Sequence, residues 1–362
     1  MAFGNQDTGT IAGTLGQPDT FESLSLADGG NVMIDHTSDD DLLFVYHGVQ
    51  QFRQFVRTPI SKSDGTIGSP RFLSLQFPSN FVGLASMNPS DQRVFAVAVN
   101  IEEVPFVVFS QTRGLTFSDP IATSTVATNE IAAMEWSADG NVLFVVHENQ
   151  DVFLCDASNG TPSSCNRQGN AGTPSFLRHL AVSSTDANTL FAAGWERATG
   201  GIDLMINPRA YVSTDAGISW RDITSDGSPL AQSTLGGSVA YISTLNTVVV
   251  ATSSGVFIPE GAELGSGWSL LASGYPNVPV LDMEYEPGDD TLVVATLGRG
   301  IWFVPNVSQR SSSESQVFVA QQQQQHSPRQ RSSTKPQPPA RTNSTKVPPD
   351  TMEAGKPELS NA

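Results

Sequence analysis

The sequence predicts an all-β fold: a β-propeller of about six four-stranded blades over residues 1–308, followed by a disordered tail over 309–362. Three observations carry this expectation. An apolar strand, a polar turn and a second apolar strand recur six times. No long segment shows the 3.6-residue apolar period of an amphipathic helix. After residue 309 the apolar runs thin out and Gln, Pro and Ser take over.

The six copies begin at Val32 (VMIDHTSDDDLLFVYH), Val82 (VGLASMNPSDQRVFAVAV), Ile131 (IAAMEWSADGNVLFVVH), Leu177 (LRHLAVSSTDANTLFAAG), Ser238 (SVAYISTLNTVVVATS) and Val280 (VLDMEYEPGDDTLVVAT). Their starts lie 50, 49, 46, 61 and 42 residues apart. The turns are rich in Asp, Asn, Pro and Gly. Gly and Asn tolerate positive φ, and Pro fixes φ at the second turn position. Short strands at regular spacing mark an all-β fold, and a period of roughly 40–50 residues is the length of one four-stranded propeller blade. Six first strands give six blades, with Phe21–Leu26 completing the last one after Ile301–Val304; a chain cut from a larger ring gives seven.

Between the hairpins lie the outer strands, clearest in AYVSTDAGISWRDI at 210–223. There Ser213-Thr214-Asp215-Ala216-Gly217-Ile218-Ser219-Trp220 fits S-x-D-x-G-x-x-W. This octet resembles the Asp-box of the bacterial neuraminidase repeat. Its Asp can accept bonds from turn amides, its Gly permits positive φ, and its Trp caps the apolar layer. A degenerate copy runs from Ser110 to Phe117, with Thr112 in place of the Asp. The resemblance implies a folding device on the turn between third and fourth strands, away from the ligand face. GNQDTGT at 4–10 with ADGGNVMID at 27–35, and the stretch at 277–304 ending in TLGRGIWFV, resemble sortilin-like repeat propellers and photosystem II assembly-factor-like proteins. That resemblance covers residues 1 to about 305. It implies the fold; its members include receptors, xyloglucan hydrolases and sialidases.

Charge narrows the partners. Charged residues are 15% of the chain and the formal net charge is -17. Residues 310–362 hold seven bases and four acids, which leaves 12 bases and 32 acids in residues 1–309 and a body charge near -20. Such a body argues against phosphate-neutralising nucleic-acid binding and against docking on anionic membranes. No apolar run approaches the ~18 residues that cross a bilayer. The tail, with QQQQQ at 321–325 and PQPPA at 336–340, cannot bury enough apolar surface to offset ordering.

The N-terminal MAFGNQDTGT lacks a basic segment followed by an apolar one, so the chain as written shows no secretory signal. A chain truncated at its N-terminus would instead fit an extracellular or secretory setting. Cys155 and Cys165 flank a turn-rich segment, FLCDASNGTPSSCNR. They stand either as a disulfide across a hairpin, which implies an oxidising compartment, or as two free thiols. Their spacing is not that of a zinc site. Asn159-Gly160-Thr161, Asn306-Val307-Ser308 and Asn343-Ser344-Thr345 fit the glycosylation triplet, a number unsurprising in a Ser/Thr-rich chain.

Propeller ligands usually meet the face built from loops that enter first strands and leave second strands. That face collects Asp28, Gln50, Glu102, Glu103, Glu130, Glu148, Trp195, Glu196, Arg197 and Arg299, with Asp7 on the equivalent N-terminal loop. Clustered carboxylates concentrate cations. They suit a basic peptide, Ca²⁺, or a sugar stacked on Trp195, which stands equally as core packing. No other cofactor is expected. A sialidase needs an arginine cluster and a Tyr nucleophile. Arg57 in Arg57-Thr58-Pro59 and Tyr285 in EYEP are the residues that weakly fit, yet Tyr285 also fits the packing pattern of the repeat. A glycosidase needs two carboxylates roughly 5–10 Å apart, which an acidic face supplies too easily to be informative. No nucleophile-elbow motif or phosphate loop is present. The expected function is a non-catalytic scaffold for protein or peptide partners, with glycoside hydrolysis as the alternative.

Overall fold

Side chains alternate across a strand, and the central strands of the sheets, such as Phe95–Ile101, Val142–His147 and Thr247–Thr252, are buried and largely apolar on both faces. Each sheet must therefore be covered twice. In β9 (Phe95–Ile101), Phe95, Val97 and Val99 pack to one side with Met33, Tyr46 and Phe55, whereas Ala96 and Ala98 pack to the other with Trp136, Leu143 and Val145. One strand thus joins two sheet-to-sheet interfaces. Five such interfaces connect six successive sheets.

The computed structural model describes residues 2–5, 9–13, 21–25, 31–37, 41–48, 55–78, 83–124, 129–173, 175–197, 205–261, 263–310, 316–317 and 319–320. It is all-β, with six four-stranded blades. Blade 1 holds β4 (Met33–Asp35), β5 (Leu42–Gly48), β6 (Phe55–Ser61) and β7 (Arg71–Leu73). Blade 2 holds β8 (Ala85–Met87), β9, β10 (Val104–Ser110) and β11 (Ile121–Ala122). Blade 3 holds β12 (Ile131–Trp136), β13 (Val142–His147), β14 (Asp151–Asp156) and β15 (Cys165–Asn170). Blade 4 holds β16 (Phe176–Val182), β17 (Leu190–Arg197), β18 (Met205–Ser213) and β19 (Arg221–Asp222). Blade 5 holds β20 (Val239–Ile242), β21 (Thr247–Thr252), β22 (Gly255–Pro259) and β23 (Trp268–Ser273). Blade 6 holds β24 (Val280–Glu286), β25 (Thr291–Thr296), β26 (Gly300–Pro305) and β28 (Val319–Ala320). The helical content among the described residues is one 3₁₀ turn, Val307–Gln309.

The first strands β4, β8, β12, β16, β20 and β24 touch in succession, so they are the inner strands of the blades. Buried Trp N–H groups find carbonyls across blade boundaries: Trp136 Nε1 donates to Ser86 O at 3.0 Å and Trp268 Nε1 to Ile223 O at 2.7 Å.

The last blade corrects one expectation. Phe21–Leu26 does not complete it. Glu22–Ser23 (β3) instead pairs with β2 (Gly9–Ala12), which pairs with β1 (Ala2–Asn5), in a separate three-stranded sheet. The outer partner of β26 is β28, and Gln316–Val317 (β27) runs parallel to β23. These two pairs include Val317 and Val319, the last β-branched residues before the Gln run, and they reach sheet edges that would otherwise be open. Residues 321–362, most of the expected tail, lie outside the described residues.

Candidate functional site

In these antiparallel blades, loops leaving second strands and loops entering first strands share one end of the sheets. At that end of blade 2, Ile101 pairs with Val104, which leaves Glu102 and Glu103 as a two-residue hairpin turn. Their φ values are 52° and 67°. A turn with both central residues left-handed prefers Asn-Gly, yet two exposed carboxylates occupy it.

Blade 3 brings Glu130 and Glu148 together. The Glu148 amide donates to the Glu130 carbonyl at 2.9 Å, because one residue precedes β12 and the other follows β13. Arg178, at the start of β16, donates from Nη2 to Glu148 Oε1 at 2.5 Å. Glu130 has no ion pair among the described residues. Loss of hydration, then the nearby Glu148 charge, raises its carboxyl above the usual range, against the opposing pull of Arg178. Beside them, Gln150 donates from Nε2 to Thr173 O and Ser175 O at 2.7 and 3.0 Å, and so ties the blade 3 loop to the strand entering blade 4.

Further acids stand on the inner strands. Glu135 lies on β12 of blade 3; Asp282 and Glu284 lie on β24 of blade 6. Solvent reaches all three, yet protein surrounds them, as expected of a narrow axial channel. Desolvation, with repulsion from Glu284 and Asp282, pushes Glu135 up to about 8. Desolvation and repulsion from Asp282 and Glu286 push Glu284 to about 7, and desolvation brings Asp282 to about 6. None of the three forms a salt bridge among the described residues. His179 on β16 is pulled down to about 4 by burial and by Arg178.

The remaining expected positions separate. Trp195 is 9% exposed, contacts the His179 ring at 6.1 Å between centroids, and leaves no room for a Cβ at Gly236. It is therefore core and not a sugar platform: blade packing consumes the ring face that stacking would need. Arg299 is exposed on the β25–β26 turn; its guanidinium donates to the Gly298 carbonyl at 3.0 Å and its own carbonyl accepts from Trp302 Nε1 at 3.1 Å. Glu196 and Arg197 end β17, with side chains outside the described set. Asp7, Asp28 and Gln50 lie outside the described residues.

The sequence reading missed Arg178, Glu135 and Asp282 as site members, and saw Glu284 only as a neighbour of Tyr285. A signal existed for two of them. Acids at 282, 284 and 286 alternate along one strand, which puts them on one face.

Residues considered for sialidase chemistry do not converge. The Arg57 guanidinium sits 4.6 Å from the Phe44 ring centroid and donates to the Arg113 carbonyl at 3.1 Å. Tyr285 donates to Asp290 at 2.8 Å and hydrogen-bonds Thr244 at 2.6 Å, both on turns at the opposite end of the blades. A cleft of about 320 Å³, lined by Thr37, Ser90, Asp91, Arg93 and Arg113, also lies at that opposite end, and each Arg there is paired with an Asp. Among the described residues no group of three or more His, Cys, Asp or Glu is arranged to hold a metal ion, and no helix is long and apolar enough to cross a membrane.

The loop that resembles an Asp-box closes on itself. Asp215 Oδ1 accepts from Ser219 N at 2.9 Å and Ser213 Oγ at 2.8 Å, Oδ2 accepts from Ser219 Oγ, and Gly217 has φ +87°. Trp220 packs beside the cluster between blades 3 and 4. The Cys155 and Cys165 sulfurs are bonded, joining directly opposed residues of β14 and β15.

No protein-family model and no curated protein matches the chain. Solved structures do. A chain of the Mitotic Checkpoint Complex is similar with TM-score 0.52 and 13% identity, over 84% of this chain and 90% of that one. The Cps50 (Swd1) β-propeller domain of Myceliophteria thermophila is similar with TM-score 0.50 and 13% identity, over 84% and 92%. An ancestral GH74 enzyme is similar with TM-score 0.55 and 12% identity, over 84% of this chain and 44% of that one. At these identities the likeness is one of fold.

Proposed function

We propose that the chain is a non-catalytic propeller scaffold that takes a cationic protein or peptide segment on its acidic loop face. One observation carries this reading: Glu102, Glu103 and Glu130 on the face, and Asp282 on an inner strand, are all without a salt-bridge partner among the described residues. Unpaired carboxylates in and around a channel focus a negative potential and steer a basic ligand toward it. Two fold neighbours, a checkpoint-complex chain and the Cps50 (Swd1) propeller, lend support as propellers or assembly components. Titration with a short Lys/Arg-rich peptide tests the reading. Affinity should fall as salt rises, since screening acts beyond about 8–10 Å, and fall again when Glu102, Glu103 and Glu130 are changed to Gln. A peptide that ignores both salt and these substitutions would sink it.

The alternative, glycoside hydrolysis, is favoured by a different observation. Glu135 holds its proton to about 8, as a general acid must at neutral pH, and one fold neighbour is a GH74 enzyme. Turnover of a β-glucan or sialoside, abolished by Glu135→Gln, would replace the scaffold reading.

A further inference from the structure

Three triplets in the sequence fit the N-glycosylation pattern, and the structure separates the two it describes. Asn159-Gly160-Thr161 sits on the β14–β15 turn, with all three residues exposed. The turn is held from below: Cys155 and Cys165 are covalently joined, the Ser158 amide donates to Asp156 Oδ1 at 2.9 Å, and the Gly160 amide donates to Ala157 O at 2.9 Å. Asn159 Nδ2 makes one long contact, 3.4 Å, to the neighbouring Ser158 hydroxyl. The Thr161 hydroxyl has no hydrogen bond among the described residues.

Asn306-Val307-Ser308 is the opposite case. Asn306 is left-handed at φ 54°, Val307 is 0% exposed, and the Ser308 hydroxyl donates to Asp290 Oδ2 at 2.6 Å while its amide donates to the same carboxylate. The hydroxyl two residues beyond the acceptor is the group that defines the triplet. Here the fold has already engaged it, and presenting the Asn would expose a core valine.

We infer that Asn159 carries an N-linked glycan, attached in the same oxidising compartment in which the Cys155–Cys165 bond forms, and that Asn306 does not. A disulfide between structural cysteines persists where N-glycosylation occurs, in the secretory route, and a glycan requires a protruding surface turn. In the transfer, Asn159 Nδ2 forms a C–N bond to the anomeric carbon of a lipid-pyrophosphate-linked oligosaccharide. The C–O bond to phosphate breaks, the amide gives up one proton, and the lipid pyrophosphate leaves. The β14–β15 turn joins third and fourth strands, so the glycan projects from the end opposite the acidic loop face and leaves that face open.

The chain isolated from its own source, opened with peptide-N-glycosidase in heavy-oxygen water and mapped by mass spectrometry, tests this. The expected result is heavy Asp at position 159 and unmodified Asn at 306. In a secretory expression host the full chain should lose one glycosidase-sensitive mobility step on Asn159→Gln and equally on Thr161→Ala, and lose none on Asn306→Gln. Thr161→Ser should keep the step. Unmodified Asn at 159, or a mobility step that survives Asn159→Gln and vanishes on Asn306→Gln, would overturn the assignment.

Discussion

Arg113 Nε lies 2.7 Å from Asp35 Oδ2, joining the turn after the first strand of blade 1 to the β10–β11 loop of blade 2. The Asp35 side chain is 0% exposed and its other oxygen accepts from the Thr37 amide and hydroxyl. Arg113 is held at φ 56°, and its carbonyl accepts from Arg57. Removing one partner of a buried pair leaves an uncompensated charge. Arg113→Ala should cost on the order of 2–4 kcal/mol, below the upper range for a fully buried pair because the arginine is 26% exposed. Arg93→Ala, which breaks a pair 59% and 35% exposed, should cost under about 1 kcal/mol. Urea unfolding of both variants checks the order; equal losses would remove the inter-blade clamp.

Asp215 and Thr112 do the same work with different atoms. Asp215 Oδ1 accepts from Ser219 N at 2.9 Å; Thr112 Oγ1 accepts from Thr116 N at 2.9 Å. In both loops the first Ser accepts from the Gly amide, Ser213 from Gly217 at 2.9 Å and Ser110 from Gly114 at 2.8 Å. Asp215→Ala should cost about 1–3 kcal/mol for unsatisfied turn groups and leave peptide binding at the far end unchanged. Unchanged stability with lost binding would make this loop a site.

The channel carboxylates give stability a pH dependence of known sign. Glu135 and Glu284 titrate near 8 and 7 when folded, against roughly 4.3 in the unfolded chain. The folded chain therefore holds protons that the unfolded chain has released. The stability they contribute is full below the unfolded value and is lost as pH rises through 7 and 8. His47 and His179, lowered to about 4 by burial, act in the opposite sense only below about 6.5. The melting temperature should fall between about pH 6.5 and 8.5, and Glu135→Gln should flatten the slope. A flat wild-type profile over that window would refute the coupling.

Glu102→Asn with Glu103→Gly should stabilise the chain by roughly 0.5–2 kcal/mol, because it places Asn-Gly in a turn whose residues are both left-handed. The same change removes two carboxylates from the loop face and should weaken peptide binding. Thermal unfolding and peptide titration on one variant read both effects. A gain in stability with binding intact would move the ligand away from this turn.

Much of the architecture was legible from residue order. Alternating apolar residues such as Phe95 to Val99 must bury two faces, and a hairpin repeated at near-constant spacing leaves few arrangements besides stacked blades. The site was legible only in part. The Glu130–Glu148 neighbourhood follows from strand ends and loop position, because the hairpin rule sets which loops share an end. Arg178 beside Glu148, and Glu135 facing Glu284, lie 30 and 149 residues apart in the chain. Only the closing of successive inner strands around an axis brings them near, and no local pattern encodes that distance. Trp195 makes the same point in reverse: its position at a strand end fits a platform, and the approach of Gly236 from the next blade decides that it is core. Local sequence thus determined what each strand and turn would be. Tertiary structure decided which side chains meet, because charges and ring faces act over a few ångströms of space and not along the chain.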